Sequence, residues 1–185
     1  MKTIKDLDVN KIEKRHLIIL KPDLTLFQRR TKSPVEFSYN GSIFTTAVPK
    51  EDLTGHILGT DSGISSLAFD KETMFEETKN RKGNLKVYEV KIKKEISLIL
   101  DLDLVCKEQD IEWPYLKIWS TGNQRNQDEE KELMKLYGLF ENRDKRINGV
   151  QYTSRHHPTG QCVMFFDTLQ HIDEYLFCKD ITDQQ

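Results

Sequence analysis

The chain has 185 residues, 28 Lys and Arg against 30 Asp and Glu, and a formal net charge of -2, which suits one domain and argues against nucleic-acid binding over a broad basic face. Its 37% hydrophobic content supports a modest core, yet no apolar run approaches the ~18–20 residues that span a bilayer, and the charged residues 1–14 lack the apolar centre of a signal peptide. Cys106, Cys162 and Cys178 are too few and too scattered for a disulfide framework or a zinc site, so a cytoplasmic chain with free, buried thiols is expected.

In chain order, Ile4, Leu7 and Ile12 give residues 1–15 the narrow apolar edge of an amphipathic helix. Residues 16–20 read as a short buried strand or helix end, broken by Lys21-Pro22-Asp23. The pattern therefore divides the chain into a helical extension over 1–23 and a main domain over 24–185. Residues 24–29 form a strand by aromatic and β-branched content. The stretch 31–65 is rich in Gly and Pro and reads as strand fragments tied by functional loops. Residues 66–69 are a short strand, after which Asp70 caps a helix that Gly83-Asn84 ends.

Residues 85–93 alternate as a half-exposed strand, and residues 96–104 form another that carries Asp101 and Asp103 near its end. Residues 110–119 hold a short helix or turn, and residues 126–139 have helical spacing. Asn148-Gly149 signals a turn. Residues 150–152 and 161–166 are strands around the loop 154–160, and residues 175–178 are a short helix or strand. About six strands and three or four helices, not strictly alternating, predict the α+β class.

Several patterns invite chemistry and are better read plainly. His156-His157 are adjacent, point in different directions and suit a surface turn. Asp101 and Asp103 share a strand face by their spacing, where oxygen ligands suit Mg²⁺, but a polar strand end is the plainer reading. No metal site is expected. Three places carry more. Arg29 and Arg30 end an apolar strand, and a guanidinium there holds a phosphate or carboxylate in bidentate fashion. Glu77 lies two helical turns beyond Asp70. Ser154 follows the strand Gly149-Val150-Gln151-Tyr152-Thr153 and precedes Arg155.

Their order matters more than any one of them. Phe27-Gln28-Arg29, Gly55-His56, Leu67-Ala68, Met74-Phe75-Glu76-Glu77 and Leu100-Asp101-Leu102 come first. Trp113 or Trp119, Gly149-Val150-Gln151-Tyr152-Thr153-Ser154 and Val163-Met164-Phe165-Phe166 follow. Over roughly residues 24–169 the chain resembles the RES domain family, named for its Arg, Glu and Ser. Those proteins are NAD-degrading toxins of toxin–antitoxin pairs. His56 stands where many members carry a second Arg, Ser66 where a Tyr often precedes Leu-Ala, and the first Arg is Arg29 or Arg30.

The resemblance implies an ADP-ribosyltransferase-like core of two small β-sheets forming a cleft, with flanking helices. It implies NAD as substrate and Arg29, Glu77 and Ser154 as catalytic residues. Glu77 would stabilise the oxocarbenium-like ribose, as carboxylates do in glycoside hydrolysis. Arg29, with His56, would hold the pyrophosphate. Tyr152 or Tyr39 would line the nicotinamide pocket, and Arg155 would hold an attacking phosphate. Inorganic phosphate as co-substrate makes the enzyme a phosphorylase, water makes it a glycohydrolase, and a macromolecular acceptor makes it a mono-ADP-ribosyltransferase. A non-catalytic NAD-binding module is the remaining alternative. The implied partner is a helix-turn-helix antitoxin, with room for a homo-oligomer and no membrane contact.

Overall fold

Runs of β-branched and aromatic residues separated by turn formers dominate this chain, and they become strands. In the computed structural model the described residues are 2, 6–31, 37–39, 42–44, 66–80, 82–111, 147–154, 156–165 and 172–184. The elements in chain order are β1 (Leu17–Leu20), β2 (Thr25–Thr31), β3 (Phe37–Tyr39), β4 (Ser42–Phe44), β5 (Ser66–Ala68), α1 (Lys71–Thr78), β6 (Leu85–Ile92) and β7 (Ile96–Asp101). After them come α2 (Leu102–Glu108), β8 (Gly149–Thr153), β9 (Gln161–Phe165), α3 (Ile172–Tyr175) and β10 (Leu176–Asp180).

The fold is mixed α and β, as the irregular alternation of elements implies. Eight strands form one sheet in the order β1-β7-β8-β9-β5-β2-β6-β10, and β3 pairs with β4 alone. The described strands thus divide as eight and two, where two small sheets were expected. Among the described strand pairs only β7 and β8 run parallel. Antiparallel pairs close through short loops, whereas this parallel pair needs a long crossover, and α2 opens it.

Each face of the sheet carries its own apolar cluster. One gathers Met74 of α1 and Leu102, Val105 and Cys106 of α2 on Ala68, Val87, Leu100, Val150 and Tyr152 of the strands. The other holds Leu26, Leu67, Val90, Ile92, Ile99, Val163 and Leu176. Alternate side chains sort to opposite faces of a regular strand, but Ile96 and Ile99, three apart, share one cluster. Leu98 lies between them at φ 60, opposite a register break between Ile18 and Leu20 of β1. The irregularity resets the pleat and leaves Ile19 and Leu98 exposed.

The N-terminal segment differs from expectation. The described part contains two 3-10 turns, Val9–Lys11 and Lys14–His16, in place of an amphipathic helix. Side chains capture the backbone groups a helix would use. Asp8 Oδ1 accepts the Asn10 N–H at 3.0 Å. Gln109 Oε1 accepts the Asp8 N–H at 2.8 Å, while its Nε2 donates to the Asp8 carbonyl at 3.0 Å. The segment also packs on the sheet. Leu7, Val9 and Ile12 are buried in the first cluster, and β1 pairs with β7.

Two further expectations change. The strand drawn over 96–104 stops at Asp101, whose carboxylate accepts the Leu104 N–H at 3.0 Å as the N-cap of α2. Asp101 and Asp103 therefore do not share a strand face. Asn148-Gly149 forms no turn, because Gly149 already pairs with Ile99 and Phe165. Asn148 instead donates its N–H to the Leu98 carbonyl and its side chain to that of Ser97, both at 2.9 Å. The expected helix over 126–139 and most of the loops over 31–65 lie outside the described residues.

Candidate functional site

Helix α1 leaves β5 through Asp70, which is extended at φ -143, ψ 164. Its two carboxylate oxygens accept the Thr73 N–H and the Thr73 hydroxyl, both at 2.7 Å. Partial burial pushes the Asp70 pKa up, but the two bonds from Thr73, with the His157 side chain nearby, outweigh it and leave the carboxyl below its ordinary range. One turn beyond Thr73 on the same helical face stands Glu77, half-buried.

The partner of Glu77 arrives from the far end of the chain. Strand β8 ends at Thr153, whose N–H and hydroxyl both donate to Asp103 Oδ2, at 2.6 and 2.7 Å. Gln161 Nε2 donates to the same hydroxyl at 2.9 Å. Ser154, the next residue, is 2% exposed. Its hydroxyl donates to Glu77 Oε1, and its oxygen accepts the His157 N–H at 3.0 Å. Its own N–H donates to the Gly160 carbonyl at 2.8 Å. The Ser154 N–H and hydroxyl are thereby satisfied, and the hydroxyl holds one Glu77 oxygen. The other Glu77 oxygen has no partner among the described residues.

Arg29 reaches the same helix from β2. Its guanidinium lies over the Phe75 ring at 5.2 Å from the centroid. Lys71 lies over Phe27 at 5.8 Å. Residues 27 and 29 share a strand face and 71 and 75 share a helix face, so two cation–ring contacts stack side by side. Among the described residues neither cation is paired with a carboxylate.

The three residue types singled out from the sequence thus meet at one helix. Ser154 and Glu77 are in direct contact, and Arg29 touches α1 two residues before Glu77. Of the two strand-end arginines, Arg29 is the one with a described side chain. Tyr152 is 4% exposed and belongs to the apolar cluster, so its ring packs in the core. The side chain of Tyr39 and all of Gly55, His56, Trp113, Trp119 and Arg155 lie outside the described residues. Among the described residues no three His, Cys, Asp or Glu side chains cluster as a metal site. Burial, with the Asp103 carboxylate nearby, raises the Cys106 pKa to about 12, so this thiol is not a nucleophile.

Sequence reasoning gave Phe75, Lys71 and Gly160 no role, and read Asp103 as a polar strand end and His157 as part of a surface turn. Spacing could have flagged Lys71 and Phe75, four apart on a helix face. The contacts of Asp103 with Thr153 and of Gly160 with Thr73 cross between elements and leave no local pattern, whereas His157 donates to Ser154 three residues back. Compared with models of known families, with curated proteins and with solved structures, the chain matches none.

Proposed function

We propose that this chain degrades NAD by breaking the bond between nicotinamide and its ribose, as a toxin of the RES type neutralised by a helix-turn-helix antitoxin. The finer fold proposed with it is an ADP-ribosyltransferase-like core, the α1 face of the sheet forming one wall of the NAD cleft. The observation that carries the reading is the hydrogen bond from Ser154 to Glu77, which joins residues 77 positions apart. Arg29 over Phe75 on the same helix supports it.

The chemistry asks little of the protein beyond charge in the right places. Nicotinamide leaves as a neutral group, and positive charge develops on the ribose carbon. Glu77 stabilises that charge through the oxygen Ser154 does not hold. Ser154 fixes the carboxylate before substrate arrives, so the bond costs no reorganisation at the moment of reaction. Arg29, with its guanidinium over the Phe75 ring and no carboxylate competitor among the described residues, suits the pyrophosphate. In phosphorolysis a phosphate oxygen bonds to the ribose carbon as the carbon–nitrogen bond breaks, and that electron pair leaves on the nicotinamide nitrogen. In hydrolysis water attacks instead and releases a proton.

Incubating the purified protein with NAD, with and without phosphate, tests this reading by nicotinamide release. Release that requires phosphate identifies a phosphorylase, and release without it a glycohydrolase. Label carried from NAD onto a macromolecule would replace the reading with ADP-ribosyl transfer. Binding without release would replace it with a non-catalytic module.

A further inference from the structure

Six residues separate Ser154 from β9, and hydrogen bonds close them into a ring. Ser154 N–H donates to the Gly160 carbonyl and Gly160 N–H to the His157 carbonyl, both at 2.8 Å. His157 N–H then donates back to Ser154 Oγ at 3.0 Å. The loop that carries Ser154 therefore moves with Gly160.

Gly160 is buried against the first turn of α1. A Cβ at this position would overlap Thr73 Oγ1 and stand 2.8 Å from its Cγ2 and 2.9 Å from its Cβ. Thr73 cannot swing aside. It is 0% exposed, and its hydroxyl is bonded to Asp70 at 2.7 Å. Backbone conformation does not demand glycine here, since the one described glycine with positive φ is Gly83. The demand is for space.

Thr73 and Glu77 are four apart on α1, one helical turn on the same face. The loop thus meets the helix at two points a turn apart, backbone at Thr73 and the Ser154 hydroxyl at Glu77. We propose that Gly160 is a positioning residue for the Ser154–Glu77 pair: its missing side chain lets the loop close on Thr73, and that closure brings Ser154 within bonding reach of Glu77. The inference rests on Glu77 being the catalytic carboxylate, but the placement itself is testable without NAD.

The test compares wild type, Gly160→Ala, Thr73→Gly and the double variant Thr73→Gly/Gly160→Ala, which returns the lost space. Amide exchange at His157 reads the loop ring, and kcat and KM for nicotinamide release read the pair. Gly160→Ala is expected to lose His157 protection and to lower kcat at least about tenfold, because small misplacements at a reacting centre cost that much or more, with KM within about threefold. The double variant is expected to recover both readouts to the level of Thr73→Gly alone. Unchanged His157 exchange and kcat in Gly160→Ala would overturn the proposal. So would a double variant that recovers neither, including the case where Gly160→Ala does not fold. A wild type that never releases nicotinamide would sink the functional reading alone, since His157 exchange still reports the closure.

Discussion

Two polar junctions tie distant parts of this chain together, and they are built differently. At one, buried His16 accepts the Glu13 N–H on Nδ1 at 2.8 Å, so its other nitrogen carries the proton toward Glu108 at 2.9 Å. Beside it Gln109 meets both backbone groups of Asp8. The hydrogen bond from His16, with Arg15 nearby, holds the Glu108 carboxyl below its ordinary range. The cation there is matched by carboxylates, since Arg15 meets Glu108 at 2.9 Å and Glu13 at 3.1 Å. At the other junction Ser154 satisfies one oxygen of Glu77 and leaves the second open, while Arg29 rests on a ring instead of a carboxylate. A junction whose cation already has its carboxylates holds the fold, and one whose cation lies on a ring keeps capacity for an anion.

That contrast can be broken by experiment. Glu77→Gln is expected to reduce nicotinamide release about a thousandfold, of order 4 kcal/mol in the barrier, while the urea midpoint stays near wild type. If activity survives, Glu77 is not the carboxylate that matters. Gln109→Ala should do the reverse. It strands the Asp8 N–H, though the Asp8 carbonyl keeps the Lys11 N–H at 3.1 Å, and should destabilise by ~1–3 kcal/mol in urea unfolding, with turnover per folded molecule unchanged.

Asp103→Ala sharpens the boundary between the two kinds of junction, because Asp103 anchors Thr153 immediately before Ser154. A loss of ~1–2 kcal/mol in urea unfolding together with a lower kcat is expected. Asp103→Asn, which keeps an acceptor oxygen, should lose less of both. A stability loss with kcat untouched would assign Asp103 to the fold alone.

The smallest effect concerns pH. Asp70 is depressed in the folded chain, so its contribution is present above the unfolded value of about 3.9 and is lost as pH falls through the lower folded value. Asp70→Asn should flatten that part of the stability curve measured below about pH 4, where wild type declines. Equal slopes would mean that the charge on this cap adds nothing beyond its hydrogen bonds.

Much of the local structure was legible because it has local causes. The strands at β2, β5, β6, β8 and β9 follow from their own alternation and aromatic content, and the Asp70 cap from one residue type at a helix start. The buried thiols follow from an odd, scattered cysteine set, and all three are buried outside any disulfide. The helix expected over residues 1–15 was illegible because Gln109, over a hundred positions away, takes the backbone groups of Asp8. The end of β7 was misjudged because Asp101 and Asp103 fit a strand end by spacing, while the cap at Asp101 turns the chain into α2.

The candidate site divides in the same way. Arg29, Glu77 and Ser154 stand out in the sequence by residue type and order, since a cation at a strand end, an acid on a capped helix and a serine past a strand are each local features. The sequence also determined the α+β class and excluded a long apolar span. Only the tertiary structure decided that Ser154 meets Glu77, that Arg29 lies on Phe75 and that Gly160 fits against Thr73. The reason is physical. Propensity, capping and alternation act over a few residues, whereas these contacts depend on how β2, β5, β9 and β8 lie side by side, which is settled by sheet pairing between remote parts of the chain.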